Sequence, residues 1–318
     1  MFKRWHTIIV IFLLPLLVAA CGPSAPQATA RPTQTPFSTP LPWISTPMPA
    51  GTGDNPLRMA ILPAEDLSDD QITEFESLFA SSGVAVQVVV AESESDALKL
   101  LCSNTTAEHA VVAWLDGIGY VSAYGRLCGQ AQLLLSTGDG DTQFGERVEL
   151  IIRPELGTQQ ISAAEGRTFC RVGYDDSYSW RIPQLWFAQV DFDIAAIDTL
   201  EDVEDYQSIV DGVASDTCDL GAVPGSMVDA LDEDIAEAII VAKTSPVLPY
   251  GVLVVPPGLP QQHRDALSQV LVDASGSHQD LMSAFFGDYE IQTVDSDLVD
   301  DLHDFVDDSG FDFVQVDR

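Results

Sequence analysis

Between Tyr174 and Pro183 the chain reads Tyr-Asp-Asp-Ser-Tyr-Ser-Trp-Arg-Ile-Pro, which gathers hydroxyls, phenols, carboxylates, an indole and a guanidinium in one short stretch. An apolar-alternating run, Thr168 to Val172, precedes it, and a helix-like run, Pro183 to Val190, follows. That order puts Ser177, Tyr178 and Ser179 at the start of a helix. Unpaired N–H groups and a partial positive charge collect there, and flanking hydroxyls can donate to the same oxyanion. Asp176 or Ser177 acting only as the cap of that helix would explain the same residue types. Capping and ligand contact are compatible, and both readings stand at this level.

No other pattern calls for catalysis. The sequence has no serine elbow, no paired Cys and His and no phosphate-cradling glycine loop. The five histidines occur singly and the cysteine spacings are unlike a zinc site, so no metal and no cofactor are expected. Gly138-Asp139-Gly140-Asp141 resembles half of a calcium loop, but the later ligand spacing fails and a surface turn is the simpler reading. Trp114 and Tyr120 lie in and just after an apolar run and serve equally well as core aromatics or as a cleft wall.

Short apolar runs bounded by turn residues occur at Leu57–Leu62, Val84–Val90, Ala110–Leu115, Ala131–Leu135 and Val148–Ile152. A second set follows at Thr168–Val172, Asp219–Val223, Ala238–Ala242 and Val252–Val255. Helical spacing separates several of them, as at Ile72–Phe79, Ala97–Leu101, Pro183–Val190 and Tyr206–Ala214. Buried strands alternating with amphipathic helices indicate α/β architecture, and two such sets in one chain indicate two lobes with a cleft between them. Near the C-terminus, Leu298, Val299, Leu302 and Phe305 stand at helical spacing within the acidic run Asp295–Asp312, an amphipathic helix with a solvated face.

The N-terminus carries Lys3 and Arg4, an apolar run from Ile8 to Ala20 and small residues just before Cys21. This is a signal segment over residues 1–20, too short to span a bilayer unaided. Val18-Ala19-Ala20-Cys21 resembles a bacterial lipobox, which implies a lipidated Cys21 and an anchor on the extracytoplasmic face of the cell membrane. Residues 21–53 hold eight of the nineteen prolines and a single charge, Arg31. Such a segment cannot bury a core and reads as a semi-rigid stalk. The formal net charge of −35 argues against nucleic acid and anionic lipid as partners, leaving the lipid anchor as the membrane contact.

Beyond Cys21, the cysteines are Cys102, Cys128, Cys170 and Cys218, an even number in an exported chain. Four cysteines allow three pairings. Joining Cys102 to Cys128 and Cys170 to Cys218 keeps each bridge inside one lobe.

From about Leu57 to Ala274 the chain resembles the PhnD-like phosphate/phosphonate substrate-binding proteins of ABC importers, a branch of the type II periplasmic binding fold. Five segments in order carry the resemblance: Arg58–Pro63, Ala113–Ala123, Ser162–Phe169, Cys218–Val223 and Ser245–Pro249. It implies a parallel-rich mixed sheet in each lobe, with lobe 1 formed by residues 54–153 and 246–318, lobe 2 by 154–245, and hinges near Pro154–Gly157 and Ser245–Gly251. It also implies that Ser177, Tyr178 and Ser179 grip the ligand, with Tyr206, Asp219, Glu146, Trp114 and Tyr120 around it. The chain departs from the family pattern where Tyr178 replaces a threonine, Trp180 a glycine, Tyr206 a histidine and Glu146 a tyrosine.

The expectation is a monomeric, non-enzymatic, surface-anchored lipoprotein that binds a small oxyanionic, phosphonate- or phosphate-like ligand and delivers it to an ABC permease. The altered serine turn motivates an alternative, a ligand-poor sensory or interaction lipoprotein that keeps the fold.

Overall fold

The computed structural model describes residues 50–103, 110–138, 140, 142–157 and 160–313. The signal segment, Cys21, nearly all of the stalk, and Asp139 and Asp141 of the calcium-like loop lie outside the described residues. The last stalk residues belong to the folded body. Ala50 is buried, and the Gly51 carbonyl accepts a hydrogen bond from the amide of Ala85 at 2.7 Å.

The chain begins with β1 (Leu57–Ile61), α1 (Asp69–Leu78), β2 (Val86–Val90), α2 (Glu94–Ser103), β3 (Val111–Leu115), α3 (Gly117–Gly125) and β4 (Gln130–Ser136). A short β5 (Gly145–Glu146) leads to β6 (Val148–Ile152), β7 (Thr168–Arg171) and α4 (Ile182–Gln189). Then come β8 (Thr199–Asp202), α5 (Tyr206–Ala214), β9 (Leu220–Pro224), α6 (Gly225–Asp229), α7 (Glu233–Ala236) and β10 (Ile240–Thr244). The chain returns through β11 (Leu248–Pro249) to β12 (Val252–Val255), α8 (Gln261–Ser277), α9 (Gln279–Phe286), β13 (Glu290–Thr293) and α10 (Ser296–Ser309).

These strands form two mixed sheets, ordered β13-β4-β12-β3-β1-β2 and β10-β6-β9-β7-β8. In the first, β1 runs parallel to β2 and β3, while β12 is antiparallel to β3 and β4. In the second, β7 runs parallel to β8 and β9, and β6 lies antiparallel between β9 and β10. The expected boundary is corrected by this pairing. Val148–Ile152, assigned above to lobe 1, is a strand of the second sheet, paired between β9 and β10, with Val148, Leu150 and Ile152 covered on one face by the layer that includes α4 and Ile151 covered on the other by α5. The chain therefore crosses between the sheets at β5 and β11, which pair antiparallel with each other, and Pro154–Leu156 is a 3₁₀ turn within the second half.

Period-two alternation sorts the strand residues into cores. Leu57, Met59 and Ile61 of β1 and Val112 and Trp114 of β3 face one apolar layer with Phe75, Leu267 and Phe285 of the covering helices. Ala113 and Leu115 of β3, Val252 and Val254 of β12, Leu150 of β6 and Phe169 of β7 all join a second layer. That layer is continuous from one sheet to the other through α3, α4 and α10. Helix α10 carries Val299, Leu302 and Phe305 of the expected stripe inward, joined by Val306, while Leu298 is half-buried. Both disulfides have the pairing that keeps each bridge within one half, Cys102–Cys128 and Cys170–Cys218.

Candidate functional site

Parallel α/β strands deliver their C-terminal ends to one side of a sheet, where the following loops and helix starts converge. Here the end of the loop after β2 and the start of α2 supply Ser93, Glu94 and Ser95, the cap and first turn of α3 supply Asp116, Ile118 and Gly119, and the turn after β7 supplies Tyr174, Asp175, Ser177 and Arg181. Between them lies a cavity of about 650 Å³, with Arg126 at the end of α3 and Phe311 and Phe313 after α10 completing its wall. A smaller hollow of about 90 Å³ adjoins it at Asp116, Ile118 and Ser177 and is closed by Tyr178, Pro249 and Tyr250.

The turn after β7 is a π-helical turn, Ser177–Arg181, running straight into α4. Pro183 has no N–H to give back to the turn, and the wider bonds from Arg181 to Asp176 and from Ile182 to Ser177 close it instead. Asp176 organises it. One carboxylate oxygen accepts from the Ser179 amide and the Ser179 hydroxyl, both at 2.6 Å, and the other accepts from the Tyr206 hydroxyl at 2.7 Å. Among the described residues, the amides of Ser177 and Tyr178 have no protein partner, as the first amides of a helix do not.

The expected site residues separate into three groups. Ser177 and Tyr178 line the hollows. Tyr206 and Glu146 stand behind them. The Tyr206 ring meets Tyr178 edge-on at 6.1 Å, and Glu146 accepts from the Ser226 amide at 3.0 Å. Burial, followed by the charges of Asp116 and Glu146, raises the Tyr178 phenol, and burial together with the Asp176 bond raises that of Tyr206. Both phenols keep their protons, and that of Tyr206 is donated to Asp176.

The remaining four do not line either hollow. Ser179 is sealed, its hydroxyl donating to Asp176 and accepting from the Val172 amide at 3.0 Å. Asp219 precedes β9, where it pairs with Arg153 and accepts from the Thr168 amide at 2.8 Å. That is the N-terminal end of the parallel strands, a strand length from the cavity. Trp114 packs on Phe286 with ring centres 4.8 Å apart, in the layer away from the cavity. Tyr120 is buried between α3 and α10, its hydroxyl 2.6 Å from His303. Trp114 and Tyr120 are thus core aromatics and not a cleft wall.

Sequence reasoning missed the most unusual pair. Asp116 caps α3 through the Gly119 amide at 2.6 Å, and its own amide donates to Glu94 at 2.7 Å. Burial and the neighbouring Asp116 charge push the Glu94 carboxyl up to about 8. Burial also raises Asp116, opposed by the amides of Gly119 and Ile118, so the pair together retains a proton that two separated carboxyls would have lost. Gly119 makes the approach possible, since a Cβ there would collide with the Glu94 carboxyl oxygen. Across the cavity, Arg181 donates to the exposed Asp175 at 2.8 Å.

A crevice at the carboxyl ends of strands from two sheets joined by two crossovers defines a two-lobed binding protein of the periplasmic type. The sequence matches the family "ABC transporter, phosphonate, periplasmic substrate-binding protein" over residues 67–298, and the chain belongs to that family. Two solved structures of one protein agree on the fold. XAC2383 from Xanthomonas citri bound to ATP superposes with a TM-score of 0.56 at 13% identity, covering 82% of this chain and 98% of that one. The same protein bound to chloride gives a TM-score of 0.53 at 13% identity, with coverage of 80% and 97%. A binding-protein component of an ABC phosphonate transporter from Pseudomonas aeruginosa gives 0.44 at 15% identity, with coverage of 80% and 87%. A comparison with curated proteins finds no match.

Proposed function

We propose that this chain is the solute-capturing component of an ABC importer, tethered outside the cytoplasmic membrane by lipid on Cys21 and carried on the stalk that follows it. The lobes in this reading are residues 50–146 with 248–313, and residues 148–245, joined at β5 and β11. The chain works as a monomer without catalysis and hands its ligand to a membrane permease. The observation that carries the proposal is the cavity of about 650 Å³ walled by loops from both sheets, within the roughly 300–1,000 Å³ of small-molecule sites.

The ligand has an oxyanionic group at Ser177. Supporting this are the unpaired amides of Ser177 and Tyr178 at a helix start and the Arg181 guanidinium on the same turn. The ion pair of Arg181 with an exposed carboxylate is weak enough to be exchanged. Thermal-shift titration of the full chain with phosphate, phosphonates, sulfonates and amino acids tests the reading. At least one should raise the melting temperature, and Ser177→Ala should weaken that ligand. No stabilisation by any of them would favour a sensory or interaction lipoprotein, for which the altered serine turn, with Tyr178 and Trp180 where the family pattern has threonine and glycine, is the motive.

A further inference from the structure

Two helix starts that open on the cavity already hold a carboxylate of the chain itself, Asp116 on α3 and Asp176 on the π-helical turn. On the first-lobe wall this leaves Glu94 and Asp116 in mutual contact at the edge of the cavity, with no cation paired to either among the described residues. Arg126 and Arg181 also line the cavity, Arg126 at the far end of α3 and Arg181 opposite on the turn with Asp175. Tyr174 also lines the cavity, Tyr178 and Tyr250 line the smaller hollow beside Asp116, Asp312 lies between Phe311 and Phe313, and Asp96 and Lys99 of α2 pair with each other away from it. An oxyanion brought against Glu94 and Asp116 would meet like charge in a desolvated place, which is unfavourable unless a cation accompanies it.

We propose that the ligand carries a positively charged nitrogen, ammonium or guanidinium, seated on the Glu94–Asp116 carboxyl pair. The inference rests on the reading of the cavity as the solute site and names the ligand class as a small amphoteric solute, its nitrogen on the first lobe and its oxyanion at Ser177. The pair is built for this. Asp116 is fixed by the α3 amides, Glu94 is brought to it through the space that Gly119 leaves open, and Leu98 and Ile118 supply an apolar surround that strengthens the charge contact. In the free protein burial keeps a proton on the Glu94–Asp116 pair, with the Glu94 carboxyl pushed up to about 8. The arriving cation replaces that proton, which leaves to solvent, so binding and deprotonation are linked. Below that pH the affinity should rise about tenfold for each unit of pH, levelling above it.

Calorimetric titration of the full chain with arginine, agmatine, 4-aminobutyrate, phosphate and methylphosphonate, between pH 6 and 9 and in buffers of differing ionisation enthalpy, tests this. A nitrogen-bearing solute should bind, release close to one proton at pH 6.5, and tighten with rising pH. Glu94→Gln preserves the acceptor for the Asp116 amide. It should bind the same solute with an affinity that no longer changes with pH, falling at least tenfold behind the natural chain at pH 8.5. Binding of phosphate or methylphosphonate alone would overturn the cationic class while leaving the solute-binding reading intact. So would a nitrogen ligand whose pH profile is the same in Glu94→Gln. Failure of every solute at every pH would overturn both.

Discussion

At the scale of single residues, the two serines of the turn have different work. Ser179 is enclosed and bridges Asp176 to the Val172 amide, so Ser179→Ala leaves buried partners unpaired and should cost about 1–3 kcal/mol in denaturant unfolding. Ser177 lines the cavity, and Ser177→Ala should leave unfolding nearly unchanged while weakening the ligand. Equal effects on stability would mean that both are structural. Glu94 makes a third prediction. Its carboxyl is raised from an ordinary 4.5 to about 8 in the folded chain, so the folded state binds the extra proton between those values. The stability this contributes is present below about 4.5 and is lost as pH rises toward 8. Unfolding free energy measured against pH should fall across that window in the natural chain and fall less in Glu94→Gln. The hydroxyl-rich turn was legible from its residue types and its place before a helix. The carboxyl pair was not, because its members stand 22 residues apart on different elements and only packing brings them together.

Among the elements, the runs that became β1, β3, β4, β6, β7, β9 and β12 were legible because buried strands must be apolar on nearly every position, and β2 was legible from its valines although only Val86 is buried. Strands β8 and β13 escaped notice, since Thr199–Asp202 is mostly exposed and Glu290–Thr293 buries one side chain. The assignment of β6 to a sheet was beyond periodicity, which gives a strand its faces but not its partners. Helix α10 shows what an amphipathic pattern leaves open. Its stripe was plain in sequence, yet the element it joins is known only from contacts. His303 stacks on Tyr124 at 3.7 Å and meets the Tyr120 hydroxyl on α3, while Phe305 meets Trp186 of α4 edge-on at 6.5 Å. The helix thus holds α3 and α4 together. Burial lowers the His303 imidazole from its ordinary 6.5, against the opposing charges of Asp300, Asp307 and Asp304. The unfolded chain therefore takes up the proton first, and the His303 contribution to stability should be lost as pH falls below about 6.5. His303→Gln should flatten that acid limb in thermal unfolding measured from pH 7 to 5. An unaltered limb would place the acid sensitivity elsewhere.

For the molecule as a whole, 49 acidic residues face 14 basic ones, so most carboxylates have no cation to pair with. Among the described residues the ion pairs are gathered, as where Arg153 meets both Asp216 and Asp219 and where Arg171 meets Asp202 at 2.6 Å. Two effects of salt then compete. Screening weakens these pairs where one partner is exposed, as Asp216 and Asp202 are, and such pairs contribute little to begin with, while Arg153–Asp219 lies out of solvent and is screened least. It also weakens the mutual repulsion of the unpaired carboxylates, which acts across the whole body at a Debye length of about 30 Å in 0.01 M salt and about 8 Å in 0.15 M. The repulsion outweighs the pairs at a formal charge of −35, because compaction brings all of those charges closer while each pair involves only two or three. The melting temperature should therefore climb by roughly 5 °C or more as sodium chloride rises from 0.01 to 0.5 M. Most of the gain should come below 0.15 M, where the screening length changes fastest. A gain that instead grows steadily with salt would reflect exclusion of salt from the surface. A melting temperature that is level or falls over the first 0.15 M would mean that the gathered ion pairs hold the body together more strongly than its charge drives it apart.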